Sequence, residues 1–281
     1  MGASPIYATG TGDPYAGQPP WGTTPSDSLQ YELFFGDRFV SIRALKFPSC
    51  TFTYAWLFDR QSARPLFTSY EPLHDPAGKT LNAENANLVY GFAENGGSIG
   101  LDTPDTGSHT FEIAETHSTL WRFPPDDIVI HQPSLKVTWT HGAETLNGVG
   151  YCKRYTCGAE NEHMYWRFIT GPIAGDLEWF WTAEAAFNLR KYDYFKVINT
   201  AGEIGTADQP GTWHRDRMAR GVIAGTEHTV TLEDLGRLEF EIRQGPSNTK
   251  MSQAFCKATF TGGGPALETY ALNEIACGIH G

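Results

Sequence analysis

The sequence predicts an all-β protein made of two barrel- or sandwich-like halves with little helix, and three observations carry that reading. Strand-like segments recur about every 10 to 15 residues with Gly, Pro or Asn-Gly between them, the rhythm of sandwiches and barrels. No long helical periodicity is visible. Residues 139–155, from Trp139 to Tyr155, set glycines among strand-forming aromatics, the mark of a strand that bends sharply or approaches another backbone. This stretch divides the chain into two halves, both strand-rich and aromatic. A pocket between two such halves is the natural place to seek a site.

Residues 1–29 are rich in Gly, Pro, Thr and Ser and read as a flexible arm, with Tyr15 and Trp21 allowing a lid. Residues 30–145 form the expected first half and residues 146–281 the second. In the first, 39–47 alternates Phe39, Ser41, Arg43, Leu45 and Phe47 against Val40, Ile42, Ala44 and Lys46. Thr51–Phe58 follows Pro48-Ser49 and is dense in aromatics, so the two segments read as a hairpin. Further strands are expected at 87–92, 109–115, 118–123, 134–140, 149–155, 163–170, 177–187, 193–199, 219–224, 226–232, 237–243, 251–260 and 267–275. Asn95-Gly96-Gly97 and Asn147-Gly148 carry tight-turn chemistry. Residues 182–191 are the best helix by propensity, but the preceding Leu177-Glu-Trp-Phe-Trp181 favours a strand.

Composition bounds the function. The 281 residues, 40 % hydrophobic, bury one large core or two of about 120 residues each. A net charge of −11 argues against nucleic acid and anionic membrane surfaces as partners. No run reaches the ~18 apolar residues of an integral membrane segment. The start, Met1-Gly-Ala-Ser-Pro-Ile, lacks the basic and apolar regions of a secretory signal, which gives a cytoplasmic expectation. Cys50, Cys152, Cys157, Cys256 and Cys277 are odd in number and lack a C-x-x-C, so they read as buried or idle thiols. His109 and His117 share a parity, as do His131 and His141, but neither pair has close metal-ligand spacing, and no metal is expected. No G-x-S-x-G elbow, phosphate loop or H-E-x-x-H appears, and no nucleotide cofactor is expected.

Two clusters could carry chemistry. In Thr212-Trp-His-Arg-Asp-Arg217 an extended backbone puts Trp213, Arg215 and Arg217 on one face and His214 with Asp216 on the other. Such a His and Asp can share a proton or orient an imidazole; the bland alternative is an exposed edge with local ion pairs. The second cluster joins Glu178-Trp179-Phe180-Trp181 and Glu184 to Lys191-Tyr192-Asp193-Tyr194-Phe195. A carboxylate among Trp and Tyr can protonate an alkene or enol in a dry pocket, while the rings stabilise the cation. The alternative there is an ordinary aromatic core with its carboxylates in solvent.

Leu120-Trp-Arg-Phe-Pro-Pro, Val129-Ile-His-Gln-Pro and Leu146-Asn-Gly-Val-Gly-Tyr151 resemble a pattern of the hydroxyneurosporene synthase and attachment-protein-like superfamily. The overlap spans about 35 residues centred on the G-x-G-Tyr element. The first half departs from the pattern, with Phe39-Val-Ser-Ile-Arg only approximating the family's Trp-Tyr-Phe opening. The resemblance implies two lipocalin-like (calycin-type) halves and cofactor-free chemistry on a hydrophobic terpenoid, polyketide or phenolic small molecule: hydration, cyclisation or isomerisation. Local chemistry then assigns Asp216 or Glu178 as proton donor and His214 as base or water-orienter. Trp213, Trp181, Tyr192, Tyr194 and Trp179 form the substrate-binding wall. The competing readings are a non-catalytic carrier of such a ligand and a carbohydrate-binding β-sandwich, the latter requiring exposed aromatics on a flat face. The sequence leaves the oligomeric state open.

Overall fold

The structure, a computed structural model, describes residues 6–10, 24, 26–47, 50–59, 81–84, 88–93, 96–103, 107–114, 118–123, 127–157, 163–173, 178–187, 190–198, 204–207, 212–214, 217–244 and 247–279. Among the described residues there is no helix, and the chain forms two compact units, each with its own antiparallel sheet. The first unit contains β1 (Ile6–Gly10), β2 (Ser26–Phe35), β3 (Arg38–Phe47), β4 (Cys50–Asp59), β5 (Leu81–Glu84), β6 (Leu88–Ala93), β7 (Gly96–Thr103), β8 (Gly107–Ala114), β9 (Ser118–Phe123), β10 (Asp127–His141) and β11 (Glu144–Cys157). The second contains β12 (His163–Pro172), β13 (Trp179–Phe187), β14 (Arg190–Ile198), β15 (Ile204–Thr206), β16 (Thr212–His214), β17 (Met218–Ile223), β18 (Thr226–Gln244), β19 (Ser247–Gly262) and β20 (Leu267–Ile279).

The first sheet runs β4-β3-β2-β11-β10-β8-β7-β6-β5, with β9 on β10 and β1 on β9. The second runs β15-β14-β13-β12-β20-β19-β18-β17-β16. Both sheets share one return, β11 beside β2 in the first and β20 beside β12 in the second, and are otherwise meanders apart from the β1–β9 branch on β10. The units divide between Asn161 and Glu162 rather than at 145/146. The reason is β11, which pairs with β10 and β2 and so holds residues 146–157 in the first sheet.

The 38–59 hairpin forms as the alternation predicts, with β3 and β4 antiparallel from Arg38↔Asp59 to Phe47↔Cys50. Part of the N-terminal arm is strand: residues 6–10 pair with β9 and residues 26–29 open β2, while Tyr15 and Trp21 lie outside the described residues. Of residues 182–191, 182–187 and 190–191 are strand, as the aromatics ahead of them favour. Segments 226–232 and 237–243 are one strand, β18, broken only by a bulge between Asp234 and Gly236. A second bulge falls in β10 between Gln132 and Leu135, where Pro133 offers no N–H and Ser134 takes φ 62°. There β10 changes partner, from β9 to β8.

Asn147-Gly148 is not a turn. It lies inside β11, and the β10–β11 reversal is made by Gly142-Ala143, with Gly142 at φ 57°. A Cβ on Gly148 would stand 2.4 Å from the Phe34 carbonyl oxygen, and one on Gly150 2.8 Å from Leu33. The close backbone approach read from these glycines is therefore met at Gly148, while at Gly150 the space is taken by the Leu33 and Val137 side chains.

In each unit one sheet face packs an apolar core. In the first, Leu33, Val40, Ile42, Leu57, Phe111, Val137 and Trp139 belong to it. In the second, Phe180, Phe195, Val230 and Phe260 do. Gly221 lies against the Phe195 ring and Gly205 against Ile223, so the β14–β15 margin curls onto β17 and the second sheet closes toward a barrel. Cys152 and Cys256 are buried free thiols and Cys277 an exposed one. Burial and Asp234 push the Cys256 thiol well up, which keeps it inert.

Gly148→Ala is expected to lower stability by about 2 kcal/mol or more, because its obstacle is backbone that cannot rotate away. Gly142→Ala, in open space at positive φ, should cost about 1 kcal/mol. Denaturant midpoints check both, and an unchanged midpoint for Gly148→Ala would contradict the close approach.

Candidate active site

Because side chains alternate along a strand, the second sheet has another face, opposite its apolar core. On it stand Tyr194 and Lys196 of β14, Trp179, Trp181 and Ala183 of β13, Trp166, Phe168 and Thr170 of β12, Leu272, Glu274 and Ala276 of β20, and Gln253 of β19. Cross-strand register sets these in rows. One row runs Lys196, Trp181, Thr170, Leu272. The next runs Tyr194, Ala183, Phe168, Glu274, Gln253. Ala183 is thus a small residue bordered by Tyr194, Phe168 and Trp181.

Glu274 is fully buried, at 0 % exposure. The Trp166 indole Nε1–H donates to Oε1 at 2.6 Å, and the Gln253 amide donates to Oε2. Burying a carboxylate is costly unless hydrogen bonds replace its water, and two N–H donors do so here. Both partners are donors, an arrangement that suits an ionised carboxylate able to take up a proton. The Trp179 ring is held in place in the same way. Its Nε1–H donates to Thr170 Oγ1 at 2.8 Å, and that hydroxyl donates to the Phe180 carbonyl at 3.2 Å.

Lys196 is 3 % exposed. Desolvation lowers its ammonium pKa to about 7, because burial penalises the charged form. Burial pushes the Tyr194 phenol well above its usual range, so its hydroxyl stays protonated.

Of the residues singled out from the sequence, Trp179, Trp181 and Tyr194 come together on this face. Tyr192 lies on β14 opposite Ala185 by its backbone, and its side chain is outside the described residues. Glu178 is half-buried at the entry to β13, where its carbonyl accepts from the Ile173 N–H at 2.9 Å. Trp213 and His214 lie on edge strand β16, opposite Ala219 and Met218, with side chains outside the described residues. Asp216 lies wholly outside them. The curl of β14 onto β17 brings the strand next to β16 toward the aromatic cluster's own strand. Glu274 and Lys196 had no part in the sequence reading. The available signal was a charged residue at an inward strand position, Glu274 between Leu272 and Ala276 and Lys196 between Phe195 and Val197.

The first unit has a comparable buried polar layer. Glu32 accepts from Gln30 and from Ser41 Oγ, the latter at 3.1 Å, and Arg43 Nε donates to Ser28 Oγ at 3.3 Å. Tyr151 is the register partner of Glu32, and its hydroxyl bonds His131 Nδ1. Carboxylate, phenol and imidazole thus stand on three adjacent strands. On the opposite face Arg154 and Asp27 form a buried ion pair at 2.8 Å. His109 and His141 face each other across β8–β10 with rings stacked at 4.1 Å, and Trp139 Nε1 donates to His109 Nδ1 at 3.1 Å. Among the described residues no group of three His, Cys, Asp or Glu could hold a metal ion.

No family model matches the chain, and no curated protein matches it by sequence. Solved structures do. Kievitone hydratase from Nectria haematococca aligns over 93 % of this chain and 90 % of its own, with TM-score 0.62 and 12 % identity. An AttH-type protein of Nitrosomonas europaea aligns over 89 % of this chain and 92 % of its own, with TM-score 0.51 and 12 % identity. The chain therefore has the fold of these proteins, two lipocalin-like halves over nearly its whole length.

The Lys196 amine makes stability depend on pH in a stated direction. Its folded pKa lies near 7 and its unfolded pKa near 10.5, so between these values the unfolded chain binds the extra proton. This amine's contribution should therefore make stability rise with pH from about 7 to about 10.5. Lys196→Met removes that term and should add about 1–3 kcal/mol at pH 7, a gain that vanishes above pH 10.5. Chemical denaturation of both proteins across this range checks it, and parallel profiles would contradict it.

Proposed function

We propose that the protein is a cofactor-independent enzyme that hydrates, cyclises or isomerises a hydrophobic terpenoid, polyketide or phenolic molecule by acid–base chemistry. The observation that carries this reading is Glu274, a fully buried carboxylate with an N–H donor on each oxygen, set on a face walled by Trp166, Phe168, Trp179 and Trp181. An apolar substrate over Ala183 would lose little solvation, and a proton acceptor in dry surroundings is effective because water does not screen it. Glu274 serves as base or water-orienter. Asp216 or Glu178 serves as the proton donor, and His214, on the edge strand, as a second base. Trp213 and Tyr192 extend the wall formed by Trp179, Trp181 and Tyr194.

The fold shared with kievitone hydratase supports this reading at the level of architecture, since the same scaffold carries a hydratase there. Among the described residues Trp56, Trp139, Trp166, Trp179 and Trp181 are all buried, which speaks against a flat sugar-stacking platform built from them.

Glu274→Gln keeps the shape and the Trp166 contact but removes the proton acceptor. With terpenoid, polyketide and phenolic alkenes as substrates, it is expected to lower kcat by about 10²- to 10⁴-fold while ligand binding, read by Trp fluorescence quenching, persists. Asp216→Asn and His214→Ala test the remaining roles in the same assay. Full turnover in all three variants would overturn the acid–base assignment, and quenching by oligosaccharides instead of apolar ligands would overturn the substrate class.

A further inference from the structure

We draw no further inference here: the strongest candidate, the buried side-chain cluster of Glu32, Tyr151 and His131 on the first sheet beside the β10 bulge, carries nothing, because its groups are buried against one another and the described residues show no cavity that would admit a ligand to them.

Discussion

A carboxylate can be taken fully out of water only where donors replace that water, and the second sheet meets this demand at Glu274. The requirement ties together residues from three strands. β20 supplies the carboxylate, β12 the Trp166 indole and β19 the Gln253 amide, and each must hold its register for the contacts to form. A one-residue slip of any of these strands would turn its partner to the opposite face and leave a bare buried charge. The polar layer thus specifies the pairing of the sheet as much as the apolar core does.

Both halves obey the same constraint with different residues. In the first, Glu32 is met by Gln30 and Ser41, and Tyr151 by His131, while the Arg154–Asp27 pair satisfies the opposite face. Two sheets with the same strand return therefore carry two distinct polar solutions. Sheets buried on both faces also account for the glycines in the strands. At Gly148 the neighbouring strand's backbone comes so close that a methyl group has no room, while at Gly150 the Leu33 and Val137 side chains, and at Gly221 the Phe195 ring, fill the place of a side chain.

Much of the fold was legible because strand alternation and aromatic density are local properties. The hairpin of 39–47 and 51–58, the strands at 118–123 and 163–170, and the preference for strand over helix at 182–191 all follow from neighbouring residues. The errors share a physical origin. Asn-Gly has turn chemistry wherever it occurs, and only the position of Phe34 shows that Gly148 serves close packing instead. The division of the halves was displaced because β11 returns to pair with β2, a long-range pairing with no local mark. The aromatic wall of Trp179, Trp181 and Tyr194 was legible as a cluster for the same local reason. Its carboxylate was not, because Glu274 reaches that face through the β12–β20 register from far along the chain.

The central claim is that an apolar small molecule sits on the Trp179–Trp181–Glu274 face. The most direct measurement is photo-crosslinking of the intact protein with a diazirine-bearing terpenoid, followed by mapping of the labelled peptides. The account predicts labels concentrated in 163–172, 179–187 and 267–279, suppressed by an unlabelled apolar competitor. Labels confined to other segments, or indifferent to the competitor, would contradict it.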